Sequence, residues 1–299
     1  MVLRRVLNLC QFVGLTILAL LLSSPVLAQV EQIPFEVRHG FLIVVKGQIG
    51  ERKDLSFVVD TGSTSTILDK RIIEDFPIAR ESGEIFNYNR KVKVEWINIA
   101  ELRAGLLKFQ NVREVVADLQ ALSHFGNSID GVIGLDLLRT CENMRVDYRG
   151  RILSLTFASQ ATRSKSPNRQ AMIVRLPVQG QTVRAIVDTG IEEGIVYSDR
   201  LRRNVPQLKF ASVIGNAHLG PLTGSRATLS GLQLGDSDRN FHVFLLNEAP
   251  ESLPAEIDGY VGIAVLHADW VELDFKAQAL RWQPMSSVST AQSIPDLAP

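Results

Sequence analysis

The stretch Phe57 to Leu68 reads FVVDTGSTSTIL, and Ala185 to Val196 reads AIVDTGIEEGIV. Each is an apolar run that stops at an aspartate followed by threonine and glycine. A buried strand that delivers a carboxylate at its tip is unusual, because an unpaired charge is costly to remove from water. The glycine leaves the backbone free to turn tightly or to approach a neighbour. One Asp-Thr-Gly alone reads as an ordinary turn, since aspartate and glycine are common turn residues. Two of them, in matching surroundings, ask for another explanation.

The matches continue downstream. DGVIGLDLL begins at Asp130 and DGYVGIAVL at Asp258, so Asp60 to Asp130 and Asp188 to Asp258 both span 70 residues, and both pairs are offset by 128. Val146-Asp147-Tyr148 with Ile152–Phe157 resembles Leu273-Asp274-Phe275 with Ala279–Trp282, each reading as a strand, a polar turn and a second strand. Several matches in one order point to an internal duplication. A two-fold arrangement of the halves brings Asp60 and Asp188 together at its axis. Two carboxylates in contact cannot both ionise easily, so the pair shares a proton. The ionised member can take a proton from water and the protonated member can give one to a carbonyl oxygen. General base and general acid then occupy one site, with no metal, cofactor or covalent intermediate.

The remaining texture is mostly β. Phe41–Val45, Leu55–Val59, Lys91–Ile99, Val112–Ala117 and Ile152–Phe157 are short and rich in branched residues. Met172–Pro177, Val183–Val187, Ala227–Leu234 and Phe241–Leu246 repeat the pattern. Short helices are expected at Lys70–Glu74, Leu135–Thr140 and Ser198–Arg203. The first 28 residues carry Arg4 and Arg5, an apolar run from Phe12 to Leu22, and small residues up to Ala28, the pattern of a cleaved secretory signal. The alternative is an uncleaved N-terminal anchor. The expected organisation is a signal at 1–28, a first lobe at 29–157, a polar linker at 158–170, a second lobe at 171–285 and a disordered tail at 286–299. Signal removal takes Cys10 with it and leaves Cys141 alone, so no internal disulfide is expected and Cys141 reads as a small buried hydrophobe. A formal net charge of zero gives no reason to expect nucleic acid or an anionic membrane surface as partner. The five histidines are scattered, and no phosphate loop, GxSxG or dinucleotide fingerprint occurs.

VVDTGS followed by Val132-Ile133-Gly134, and IVDTG followed by Tyr260-Val261-Gly262, resemble the aspartic peptidase family, both pepsin-like and retropepsin-like. The resemblance covers nearly all of the chain after residue 28, and the whole is similar to a retropepsin dimer fused in one chain. It implies an all-β fold of two β-barrel lobes with the active cleft between them. It implies that Asp60 and Asp188 are the catalytic dyad. Thr61 and Thr189 are implied to brace the dyad across the interface, Gly62 and Gly190 to donate backbone N–H groups to the carboxylates, and Gly134 and Gly262 to let the downstream strand pass behind each motif loop. Ser63 is implied to support the outer carboxylate oxygen with its hydroxyl. Ile191 occupies the corresponding place in the second motif, so the two carboxylates are expected to be inequivalent. Glu192 and Glu193 read as a solvated turn. The family closes its cleft with a glycine-tipped hairpin, for which Gly215–Gly224 is a candidate in the second half and Gly83–Trp96 a poorer one in the first; Tyr88 and Trp96 are candidates to reach substrate.

The function these readings support is an exported aspartic endopeptidase, periplasmic or secreted and acting on peptide or protein substrates. A monomer suffices, since one chain supplies both halves of the site. The alternative is a protease-fold protein without turnover that binds peptides or acts as a scaffold.

Overall fold

In a computed structural model of the chain, the residues described are 29–105, 107–122, 128–157, 171–178, 181–201, 211–217, 219–234 and 237–285. The expected signal at 1–28, the linker at 158–170 and the tail at 286–299 lie outside them.

The first half contributes β1 (Gln29–Arg38), β2 (Leu42–Ile49), β3 (Arg52–Val59), β4 (Ile67–Asp69), β5 (Glu81–Asn87), β6 (Arg90–Ala104), β7 (Leu107–Ala117), β8 (Gly131–Ile133), β9 (Asn143–Asp147) and β10 (Ile152–Phe157). The second contributes β11 (Ile173–Val178), β12 (Gln181–Asp188), β13 (Gly194–Tyr197), β14 (Ala211–Ala217), β15 (Gly220–Leu234), β16 (Ser237–Leu246), β17 (Gly259–Gly262), β18 (Ala268–Asp274) and β19 (Ala279–Pro284). Helix is confined to single turns such as Lys70–Ile73, Leu135–Leu138 and Ser198–Leu201. The protein is mostly β.

The continuous apolar runs have a simple cause. In β3, Leu55, Phe57 and Val59 face one core cluster while Val58 faces another, and β2 divides Ile43 and Val45 from Leu42 and Val44 in the same way. A strand buried on both faces needs apolar residues at every position rather than at alternate ones. These strands run through the middle of the first half and end at Asp60.

The order of pairing is the same around both motifs. β3 pairs parallel with β8, β8 antiparallel with β4, and β4 parallel with β7. β12 pairs parallel with β17, β17 antiparallel with β13, and β13 parallel with β16. A strand from far downstream is thus inserted between the strand that leads into each aspartate and the strand that leaves it. The intervening loop is forced out of the sheet, and the aspartate sits where the strands part. Downstream aspartates pin the insertion in both places: Asp130 Oδ2 accepts from Ser56 N at 2.8 Å, and Asp258 Oδ2 accepts from Arg184 N at 2.8 Å.

The expected terminal hairpins form as β9–β10 and β18–β19, and they then join each other. β9 pairs with β18, Val146 opposite Val271 and Met144 opposite Leu273, making one sheet of β19-β18-β9-β10-β1 across the two halves. Those four side chains are fully buried, so apolar burial rather than a disulfide holds the halves together here. Cys141 is buried beside this sheet, its Sγ bonded to Leu138 O at 2.7 Å.

Several boundaries differ from the sequence reading. β1 was not expected; its alternation is weak, with only Ile33 and Phe35 buried. β6 continues to Ala104 rather than ending at Ile99, because its far end finds a third partner in β2.

Candidate active site

The two motif loops meet back to back, and the threonines lock them. Thr61 Oγ1 donates to Val187 O at 2.7 Å and accepts from Thr189 N at 3.2 Å. Thr189 Oγ1 donates to Val59 O at 2.6 Å and accepts from Thr61 N at 3.1 Å. Each hydroxyl therefore satisfies one donor and one acceptor of the opposite loop. All four bonds are buried, where an unpaired backbone group costs about 1–3 kcal/mol.

This lock holds Asp60 and Asp188 against each other, both at 2% exposure. Their carboxyls hydrogen-bond to one another. Asp60 Oδ1 accepts from Gly62 N at 2.7 Å and Ser63 N at 3.1 Å, while Asp188 Oδ1 accepts from Gly190 N at 2.7 Å. Gly62 is required by space: a Cβ there would overlap the Asp188 carboxyl. Gly134 and Gly262 are close-approach positions as well, since a Cβ on Gly134 would lie 2.5 Å from the Ser65 carbonyl and one on Gly262 would overlap the Ile191 carbonyl oxygen.

Ser63 departs from its expected role. Its hydroxyl donates to Ser65 O at 2.7 Å and braces the loop, and only its N–H reaches Asp60. Ile191 is half-buried in an apolar cluster with Ile186, Ile195, Tyr197 and Tyr260. The carboxylates are consequently inequivalent, with two backbone donors on Asp60 and one on Asp188. Glu192 is exposed, and Glu193 pairs with Arg226 at 2.7 Å on the surface.

Burial is the first cause holding the Asp188 carboxyl well above the usual aspartate range, followed by the Asp60 charge and the shared hydrogen bond. The N–H of Gly190 and the hydroxyl of Tyr88 pull the other way. The folded state therefore holds a proton here that the unfolded chain releases near pH 3.9. The stability tied to that proton is complete below the unfolded value and is lost as pH rises through the higher folded one. Thermal unfolding followed from acidic to neutral pH is expected to show this fall, provided the contributions of other groups are subtracted by the same scan on Asp188→Asn.

Tyr88 was a candidate to reach substrate, and the structure brings it onto the dyad. It tips the β5–β6 hairpin, with φ of 56°. That left-handed region suits glycine or asparagine and strains a bulky residue. The side chain is held by an edge-to-face contact with Tyr260 at 5.3 Å between ring centroids, and its hydroxyl interacts with the Asp188 carboxyl. Burial, then the charges of Asp188 and Asp60, raise the Tyr88 hydroxyl well above its ordinary value, so it stays a donor. Tyr260 is pushed up to about 12, first by burial. Trp96 does not join them. It packs against the first-half core, with the Arg113 guanidinium 4.9 Å over its ring and Gly83 making room beside it.

The hairpin expected near Gly215–Gly224 forms as β14–β15, and the hairpin in Gly83–Trp96 is as regular. Their tips meet: Arg90 Nη2 donates to Leu219 O at 2.9 Å, and Leu219 packs on the first-half cluster. The Tyr260 contact was not anticipated, although its place before Gly262 in the downstream motif was the available signal. Among the described residues, no three His, Cys, Asp or Glu side chains converge as a metal site.

Residues 45–137, which contain Asp60, its loop and β8, match the family model described as aspartyl protease. Over these residues the chain is similar to the aspartyl proteases that the model describes. Among solved structures, the crystal structure of a retropepsin-like aspartic protease from Rickettsia conorii is similar over 44% of this chain and 94% of that chain, at 17% identity and a TM-score of 0.33. No curated protein matches the chain. The family segment stops before Asp188, so the second carboxylate rests on the geometry above.

Proposed function

We propose that the protein is an exported aspartic endopeptidase that hydrolyses peptide bonds with a water molecule activated between Asp60 and Asp188. The observation that carries this reading is the buried carboxyl pair held by the reciprocal Thr61–Thr189 bonds, in a chain whose residues 45–137 match the aspartyl protease model. In this reading residues 29–157 and 171–285 are homologous lobes joined by 158–170, residues 1–28 direct export to periplasm or medium, and the monomer contains the whole site.

The asymmetry assigns roles. Asp60, with two backbone donors on Oδ1, is the ionised member and takes a proton from water as it attacks the scissile carbonyl. Asp188, favoured in its protonated form, gives its proton to the carbonyl oxygen. A tetrahedral diol results. Asp60 returns its proton to the departing amide nitrogen, the C–N bond breaks, and Asp188 recovers a proton as the carboxyl forms. Thr61, Gly62, Ser63, Thr189 and Gly190 position the pair.

A peptide-library digest with the full chain from acidic to neutral pH tests the proposal. Cleavage in the range where the pair carries one proton is expected; a folded wild type that cleaves nothing at any pH contradicts it and favours a peptide-binding module. Tyr88→Phe gives a finer check. The tyrosine hydroxyl lowers the Asp188 value, so its removal should move the basic limb of kcat/KM to higher pH. An unmoved limb would exclude that interaction from the working enzyme.

A further inference from the structure

The two hairpins beside the dyad exchange their tips. Each half has a floor of three side chains paired across neighbouring strands. In the first half these are Val58, Val132 and Ile67, with Val132 opposite both of the others. In the second they are Ile186, Tyr260 and Ile195, with Tyr260 opposite both of the others. The two sets lie 128 residues apart, member for member. Val58 and Ile186 stand two residues before Asp60 and Asp188, and alternate residues of a strand share a face, so each floor adjoins its own carboxyl. The stem of each hairpin roofs its own half: Ile85 and Val92 pack on the first cluster, and Leu222 on the second. The tips do the reverse. Tyr88, from the first hairpin, packs on the second-half cluster that contains Ile186 and Ile195. Leu219, which lies between the paired Ala217 and Gly220 of the second hairpin, packs on the first-half cluster that contains Val58, Ile67 and Val132.

This exchange closes the site. Asp60 and Asp188 are buried, and the Arg90–Leu219 bond ties the tips across the opening. The Tyr88 hydroxyl meets the Asp188 carboxyl where the proposed mechanism puts the scissile carbonyl oxygen. A peptide therefore reaches the dyad only after both tips leave. The side chains that the protein itself sets on the two floors report what each floor accepts. The first is aliphatic throughout. The second has Tyr260 where the first has Val132, with the Tyr197 ring 6.5 Å from it. An aromatic ring there meets Tyr260 edge to face, as Tyr88 does, and such a pair adds to the gain from burial alone. We propose that Tyr88 and Leu219 occupy the two substrate side-chain pockets as internal stand-ins, so that the resting cleft is self-blocked and yields to a peptide with an aromatic residue for the second-half pocket and an aliphatic one for the first. The inference takes its chemistry from the endopeptidase reading and its pockets from packing alone.

Binding of uncleavable peptides to the full chain, followed by calorimetry, tests this without reference to turnover. A reduced CH₂–NH bond replaces the scissile amide, flanked by Tyr and Leu, by Leu and Tyr, or by Leu on both sides. One of the two mixed peptides is expected to bind at least about tenfold more tightly than the Leu–Leu peptide. A ligand that must wait for an open form loses apparent affinity in proportion to the closed fraction. Tyr88→Ala and Leu219→Ala should therefore each tighten binding of the preferred peptide by about tenfold or more, with the circular dichroism of the sheets retained. Tyr260→Val, which gives the second floor the residue of the first, should bring the preferred peptide down to the Leu–Leu level. Equal binding of the three peptides by the wild type overturns the pocket assignment. Unchanged or weaker binding in both tip variants overturns the self-block. A protein that binds as expected and hydrolyses nothing upholds this inference and removes only the hydrolytic reading.

Discussion

Asp188→Asn is expected to end peptide hydrolysis and, at neutral pH, to raise the unfolding temperature. The two effects have one cause. In the wild type Asp188 is 2% exposed, touches a second carboxyl at 2% exposure and is held well above its ordinary range by that burial and charge. Ionising it in the folded state works against folding at neutral pH. Asparagine has nearly the same shape, can keep the Gly190 N–H bond through its carbonyl oxygen, and carries no charge. At acidic pH, where Asp188 is already protonated, the gain in stability should shrink. In the proposed mechanism catalysis loses its proton donor, and general acid or base groups typically contribute about 10²–10⁴-fold. Asp60→Asn removes the proposed base and should lose at least as much. A folded Asp188→Asn protein that keeps full hydrolysis would break the dyad reading, and one that is no more stable at neutral pH would show that the pair is not under charge strain.

Thr61→Val has the second largest expected effect, this time on both stability and rate in the same direction. It removes the hydroxyl that donates to Val187 O and accepts from Thr189 N, stranding one buried carbonyl and one buried N–H. At about 1–3 kcal/mol for each stranded group, the loss is about 2–6 kcal/mol, readable as a lower denaturant midpoint. Asp60 is the preceding residue, so its carboxyl shifts as the loop relaxes, and misplacement of a catalytic group by about 1 Å can cost about 10²-fold. Thr61→Ser keeps the hydroxyl and should keep most of both properties. In a double-mutant cycle with Thr189→Val the second substitution should cost much less than the first, because the lock is reciprocal. Additive losses would mean that the two hydroxyls act independently.

The sequence carried the parts of this fold that repeat. Two apolar runs ending at Asp60 and Asp188, with Asp130 and Asp258 at one spacing, predicted the strands, the loops and the glycines behind them. Burial on both faces leaves an unbroken apolar signature in β2 and β3. The sheet spanning both halves was not legible, because strand pairing between β9 and β18 leaves no mark in either strand beyond ordinary alternation. β1 was missed for a related reason: only Ile33 and Phe35 of its ten residues are buried apolar residues. Glycines mark the hairpin tips expected from sequence, whereas the tip over the dyad is Tyr88, held in a left-handed conformation by Tyr260 and the dyad rather than by local preference. The hydroxyl of Ser63 pointed to the wrong acceptor, since residue type alone cannot say which of two nearby oxygens it reaches.

The central claim is that Asp60 and Asp188 behave as one unit holding a single proton. The most direct measurement is the titration of the two carboxyl carbons by NMR in the full chain carrying labelled aspartate, with the dyad signals assigned by Asp60→Asn and Asp188→Asn. One proton is expected to stay on the pair well above the ordinary aspartate value of about 3.9, with both signals responding to each step. Two independent ionisations near that ordinary value would contradict the account.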